Sequence, residues 1–216
     1  MFFLNFCIIL LGIFINTYIT KHSYNSIKEL PECHQAIISK QFNESLASAC
    51  VFHITNHVRS TKKLRQLDAA NALMSAAHLH ANEMILYNFF NHKNTFVLAH
   101  LTFVDRIKSK GGVFDYMSEN LAERYTYNID PTQRYTIRTE AGITKYYFLK
   151  SKKEVAPYTY WQLAEALVKQ WIDSPQHYKN MMNVELKYLG VGIAVSENNQ
   201  RGGHFPTVKA VQNFGY

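Results

Sequence analysis

The chain has no internal repeat and no low-complexity tract, so neither a solenoid nor a disordered polar segment organises its 216 residues. Cysteine is scarce: Cys7, Cys33 and Cys50 make up the whole set. Acidic residues are outnumbered, 16 against 23 lysines and arginines, and the net charge of +7 is spread along the chain instead of blocked. No nucleic-acid recognition module accompanies that charge, so no nucleic-acid partner is expected. Diffuse positive charge favours acidic surfaces, such as cell walls or anionic lipid headgroups.

Charge is missing altogether from the first twenty residues, "MFFLNFCIILLGIFINTYIT". A run this apolar reads as a secretory signal or an N-terminal membrane anchor over residues 1–22, and either implies an exported chain, extracellular, cell-surface or periplasmic. No Lys or Arg precedes the run and no small-x-small triplet follows it, so an uncleaved anchor stays open; in that case the segment is the chain's contact with a membrane. "LNFC" lacks the small residue that precedes a lipoprotein cysteine, which argues against lipidation of Cys7. In an exported chain Cys33 and Cys50 are compatible with a disulfide; the alternative is two unpaired thiols, one packed on a helix.

With 47% hydrophobic and 18% charged residues the chain can build one core, hence one domain, placed at 44–216 after a linker or arm at 23–43. A helix is expected from Glu44 through "SLASACVFHITNHVRS". The clearest helix carries Ala70, Leu73, Met74, Ala77, Ala81, Met84 and Ile85 at i, i+3, i+4, i+7 spacing, with Asp68 as its N-terminal acid or cap. A shorter amphipathic stretch at 99–110 stops at Gly111 and Gly112. A tyrosine-rich insertion at about 125–158 contains a hairpin pattern in "RYTIRTEAGITKYYFL". Its tyrosines, among Arg and Lys, suit glycan, headgroup or protein recognition, or else simply cover a sheet edge.

A helix from Tyr160 to Asp173 then carries Trp161, Ala164, Val168 and Trp171 on one face. Ser174 as N-cap and Pro175 in the first turn open another. "YLGVGIAVSE" and "FPTVKAVQNFG" read as strands joined by "NNQRGG". Helices first and strands late predict an α+β layered fold.

Ten histidines invite a metal reading, and most do not support it. His78 and His80 lie two apart on a helix, on different faces, and are expected at the surface or in packing. His53 and His57 have i, i+4 spacing without an acid to complete a site. His22, His34, His100 and His204 have no helpful local context. His92 in "FFNHKN", Glu119 in "SENLA" and His177 in "SPQHYKN" are different: two imidazoles and a carboxylate, taken to lie on separate loops, are the ligand types of Zn²⁺ or another divalent metal with a position left open for water.

The ordered series "LMSAAHLHANEM…FNH", "SENLAE", "WIDSPQHYKNMMNVELKYLGVGIAV" and "VQNFG" resembles the CAP superfamily, the cysteine-rich secretory, antigen 5 and pathogenesis-related proteins, and among them the bacterial SCP-like type. The resemblance runs over roughly residues 44 to 216. It implies an α-β-α sandwich with a central antiparallel sheet and a cleft of two histidines and two acids. Matched by motif, the cleft residues are His92, Glu119 and His177, with Ser174 where many animal and plant members have Glu. His92 and His177 are the metal candidates, Glu119 the candidate acid or base.

Trp171 reads as a core anchor, Asn120 as a loop-fixing amide, Asn180 as fixing the loop of His177 or capping its backbone, and Gly190 and Gly192 as room for a side chain or helix against the strand. No nucleophile elbow surrounds Ser174. The resemblance implies a binding module for a small apolar or lipid, glycan or protein ligand. The alternative is a metal-dependent, peptidase-like hydrolase built on His92, His177 and Glu119.

Overall fold

The two helices with the expected apolar stripes face each other across one sheet, and the two strands with the expected apolar runs lie inside that sheet. The computed structural model describes residues 17–130, 132–140, 143–196 and 205–216; Cys7, most of the 1–22 segment, the hairpin turn and the "NNQRGG" turn lie outside them. Of the α-helices that lie wholly within the described residues, the order along the chain is α1 (Tyr24–Lys28), α2 (Glu44–Thr61), α3 (Asn71–Leu86), α4 (Phe103–Ser109), α5 (Tyr160–Ile172) and α6 (Pro175–Met181). The strands are β1 (Asp68–Ala69), β2 (Met117–Tyr125), β3 (Tyr135–Glu140), β4 (Ile143–Phe148), β5 (Tyr188–Ser196) and β6 (Thr207–Gly215). Among the described residues no helix is long and apolar enough to cross a membrane.

The main sheet has the order β1-β5-β6-β2. β5, β6 and β2 are antiparallel neighbours, and the short β1 adds a parallel edge to β5. Side chains of Leu189, Val191, Ile193, Val208, Ala210 and Phe214 enter a core with Leu46 and Ala49 of α2 and Leu163 and Leu167 of α5. On the opposite face Ala77, Ala81 and Met84 of α3 meet Leu121, Ala194 and Val211. Helix, sheet and helix thus form three layers, the α-β-α sandwich expected.

Gly190 and Gly192 set the spacing of the α3 layer. A Cβ on Gly190 would lie 2.1 Å from the Leu73 carbonyl carbon, and one on Gly192 2.2 Å from the His78 nitrogen, so α3 lies directly on the β5 backbone. Trp171 is fully buried at the end of α5, and its indole N–H donates to the Leu121 carbonyl at 3.0 Å, fixing that helix to β2. Buried Arg59 closes the far end of α2 by donating to the carbonyls of Arg65, Met181 and Asn183.

Several expectations need correcting. Asp68 caps nothing: it lies on β1 opposite Tyr188 and its carboxylate takes Arg65, while Ala70 stands at the N-cap of α3 without a side-chain bond. Ser174 occupies the N-cap position of α6, but its hydroxyl makes no cap bond. The 23–43 segment is not a free linker. Ile27, Cys33 and Ile37 are buried, Tyr24 stacks on His57 at 3.8 Å, and the Ile37 N–H donates to the Tyr158 carbonyl, so the segment lies as a strap along α2 and α5.

Cys33 and Cys50 are both buried and unbridged in this structure, the second packed on α2. The tyrosine-rich insertion forms the separate β3–β4 ribbon. Tyr127, Tyr135 and Tyr146 close on Phe205 in a small aromatic core, with Tyr146 stacked on it at 4.2 Å.

Candidate functional site

The sheet register places the polar residues before any helix is considered. Glu119 of β2 pairs with Asn213 of β6, which pairs with Gly190 of β5. The next row is Asn120, Gln212 and Val191. Because side chains alternate across a pleated sheet, the first row points at α3 and the second at the α2–α5 layer. Glu119 therefore sits in a strand under α3, not on a loop, and its side chain is completely buried.

An isolated buried carboxylate would be costly, and this one is fully partnered. Arg106 of α4, itself completely buried, donates through Nη2 to Glu119 Oε2 at 2.8 Å. His92, on the loop after α3, brings Nδ1 to Oε1 at 2.9 Å. Asn213 joins them once its amide is assigned by its surroundings: the oxygen then accepts from the Ala77 N–H at 3.1 Å and the nitrogen donates to Oε2 at 3.3 Å. Arg106 also holds the backbone around it, donating to the carbonyls of His100 at 2.9 Å and His92 at 3.1 Å. Both ends of the 92–100 loop are tied to one guanidinium. Its interior is fixed by Asn94, which donates to Glu83, whose other oxygen meets His100 Nδ1 at 2.6 Å.

In the neutral His92 ring Nδ1–H donates to Glu119 and Nε2 is left as the acceptor, and the side chain is 51% exposed. His177 stands on α6, again not on a loop. Asn120 donates to the His177 carbonyl at 3.1 Å and to Gln212, while Asn180 donates to Asn120 Oδ1 at 2.9 Å and to the Glu119 carbonyl. Asn120 and Asn180 thus pin α6 to β2, and Gln212 carries the relay on to Thr55 of α2 at 2.8 Å. Burial holds His177 below the usual imidazole range and the nearby His92 ring pushes it the same way, so both histidines belong to one electrostatic neighbourhood. His177 Nδ1 is buried without a hydrogen-bond partner among the described residues. Ser174, half-buried, starts the helix that carries it.

His80, expected at the surface or in packing, is fully buried beside this cluster with Nε2–H donating to the Asn91 carbonyl. Burial pushes its pKa down to about 4; Arg106 and His92 add to that and Glu119 opposes it. The folded value lies below the ordinary 6.5, so its contribution to stability is present above pH 6.5 and lost as pH falls through about 4. The full loss is about 3 kcal/mol. Urea midpoints at about pH 7 and about pH 4.5 check this, and His80→Gln is expected to flatten the difference.

Arg106, His80, Asn213 and Gln212 were not among the expected site residues. A signal for Arg106 was present: in "TFVDRIKS" it shares the helical face of Phe103 and Ile107, a cation on an apolar stripe.

A three-layer sandwich with a carboxylate-held histidine and a second histidine at one end of its sheet defines a class, and the sequence places the chain in it. The profile of the CAP family, described as the cysteine-rich secretory protein family, matches residues 52–214, and the chain belongs to that family. Its fold is similar to that of an extracellular protein containing an SCP domain from Bacillus anthracis, with TM-score 0.52 and 20% identity over 82% of this chain and 42% of that one. The chain thus spans less than half the length of that relative. It is also similar to an outer surface protein of Borrelia burgdorferi, with TM-score 0.51 and 16% identity over 84% and 97% of the two chains. No curated protein is similar enough in sequence to match.

Proposed function

We propose that the chain is an exported CAP-domain binding module that takes a polar ligand, a glycan or a peptide, at the cleft of His92 and His177. The burial of Glu119 carries this reading. Its side chain is completely buried behind Arg106, His92 and Asn213, which its two oxygens already accept from, so the carboxylate does not face the position a metal or an attacking water would take. That argues for binding over hydrolysis. The carboxylate instead orients His92, whose Nε2 lone pair is offered outward to a ligand O–H or N–H. Export is supported by the uncharged N-terminal run and by the extracellular and outer-surface descriptions of the two similar structures.

Among the described residues no group of three or more His, Cys, Asp or Glu side chains is arranged to hold one ion. A divalent metal would be held by His92 Nε2 and by His177, whose Nδ1 has no other partner, with Glu119 as the group that orients the first ligand. Such an ion would supply Lewis acidity toward a ligand oxygen, with its remaining positions left to water or ligand.

Calorimetry with Zn²⁺ alone and a panel of cell-wall glycans and peptides tests the proposal. His92→Ala and His177→Ala are each expected to weaken binding at least about tenfold while leaving the thermal midpoint within a few degrees. Binding unchanged in both variants, or peptide or glycan hydrolysis abolished by Glu119→Gln, would overturn it.

A further inference from the structure

We infer that Cys33 and Cys50 form a disulfide that locks the 24–43 strap onto the CAP domain, an inference that rests on the proposed export for its oxidant. Cys33 lies in the 3-10 turn Pro31–His34, and Cys50 lies within α2. Both are fully buried, and their Sγ atoms stand 3.4 Å apart across a sequence separation of 17. A disulfide needs about 2.05 Å, so the sulfurs have only roughly 1.4 Å to close. Cys50 belongs to the α2 layer of the domain and Cys33 to the strap, so a bond between them joins the two.

The surroundings make the two thiols unequal. The two thiols share one contact in which either can donate, and the bond to Cys50 holds Cys33 below the ordinary thiol range, against the opposing effect of burial. Cys50 is pushed up by Cys33 and by its own burial. Cys33, in a turn with exposed neighbours, is the attacking group, and Cys50, within α2, the resolving one. Pro31, Glu32 and His34 are exposed, so lifting one surface turn gives an oxidant access to Cys33.

Its thiolate attacks one sulfur of a small-molecule or protein disulfide, forming a mixed disulfide and releasing one thiol. The Cys50 thiolate then attacks the Cys33 sulfur and expels the second thiol. Two electrons and two protons pass to the oxidant, which leaves as two thiols.

The strap is otherwise held without covalent ties, by buried Ile27 and Ile37, by the rings of Tyr24, His57 and Trp161, and by backbone bonds such as that of Ile37 to Tyr158. A covalent tie converts it into a fixed connection between the N-terminal segment and the domain.

The test uses the full chain with Cys7→Ser, so that only this pair is counted. Reduced protein incubated with oxidised glutathione is expected to lose about 2 Da and both alkylatable thiols. Its thermal midpoint should rise by roughly 6–12 °C, a gain absent from the Cys33→Ala/Cys50→Ala chain. Two thiols that remain alkylatable under this treatment would overturn the inference. The same chain, trapped with N-ethylmaleimide directly in cells, is expected to be oxidised. Closure in vitro but free thiols in cells would overturn export, and with it the bridge in the living cell, while leaving the pairing chemistry intact.

Discussion

Arg106→Met is expected to destabilise the fold by about 3–5 kcal/mol, because it leaves the buried carboxylate of Glu119 without its countercharge. The guanidinium touches three oxygens that no other side chain can serve together: Glu119 Oε2, the His92 carbonyl and the His100 carbonyl. Methionine fills much the same volume, so the loss reports charge and hydrogen bonding more than a cavity. Lysine does not restore it, since one ammonium lacks the planar fork that spans the three positions. The decisive measurement is a double-mutant cycle in urea. Glu119→Gln removes the stranded charge and is expected to recover a large part of the Arg106→Met loss. A loss below about 1 kcal/mol, or no recovery in the double variant, would show that the pair does not support the site as described.

The same cycle separates the scaffold from the proposed ligand site. Arg106 ties both ends of the 92–100 loop, so its removal should loosen His92 and lower ligand or Zn²⁺ affinity along with stability. His92→Ala also removes the one partner of Glu119 Oε1 but leaves the Arg106 countercharge in place, so it should lower affinity and cost clearly less stability than Arg106→Met. A ring held by a buried carboxylate that is itself neutralised is a way of presenting one nitrogen in a fixed direction without spending a free charge at the mouth of the cleft.

The helices were legible because their signal is local. The stripes of α3 and α5 and the proline in the first turn of α6 are read within one or two turns of chain. β5 and β6 were legible from their apolar runs. The register between strands was not, since nothing near Glu119 in sequence says that Asn213 and Gly190 will flank it. For that reason Asn213 and Gln212 went unnoticed, and β2 was taken for a loop around Glu119. The ends of elements misled for another reason. Asp68 and Ser174 are residue types that favour caps, but the Asp68 carboxylate pairs with Arg65 and the Ser174 hydroxyl makes no cap bond. The strap looked like a linker because its buried residues, Ile27, Cys33 and Ile37, are too sparse to show a period; its partner surface lies on α2 and α5.

Gly192→Ala is the second substitution expected to have a large effect, at least about 3 kcal/mol, through overpacking instead of charge. The added Cβ would fall 2.2 Å from the His78 nitrogen and 2.3 Å from the Ala77 carbonyl carbon. Those are backbone atoms in the middle of α3, so no rotamer change can relieve the clash and the whole helix must move off the sheet. α3 carries His80 and Glu83, and the Ala77 N–H that orients Asn213 toward Glu119, so the displacement reaches the site as well as the core.

Gly111→Ala provides the contrast. That glycine has φ +77° and open space around the missing Cβ, so its cost is backbone strain alone, about 1–2 kcal/mol. Urea unfolding of the two variants, with ligand or Zn²⁺ affinity measured on each, distinguishes the mechanisms. Gly192→Ala should lose both stability and affinity, Gly111→Ala only stability. Equal and small losses in the two would mean that α3 can shift without cost, and that the close approach at Gly192 does not hold the site together.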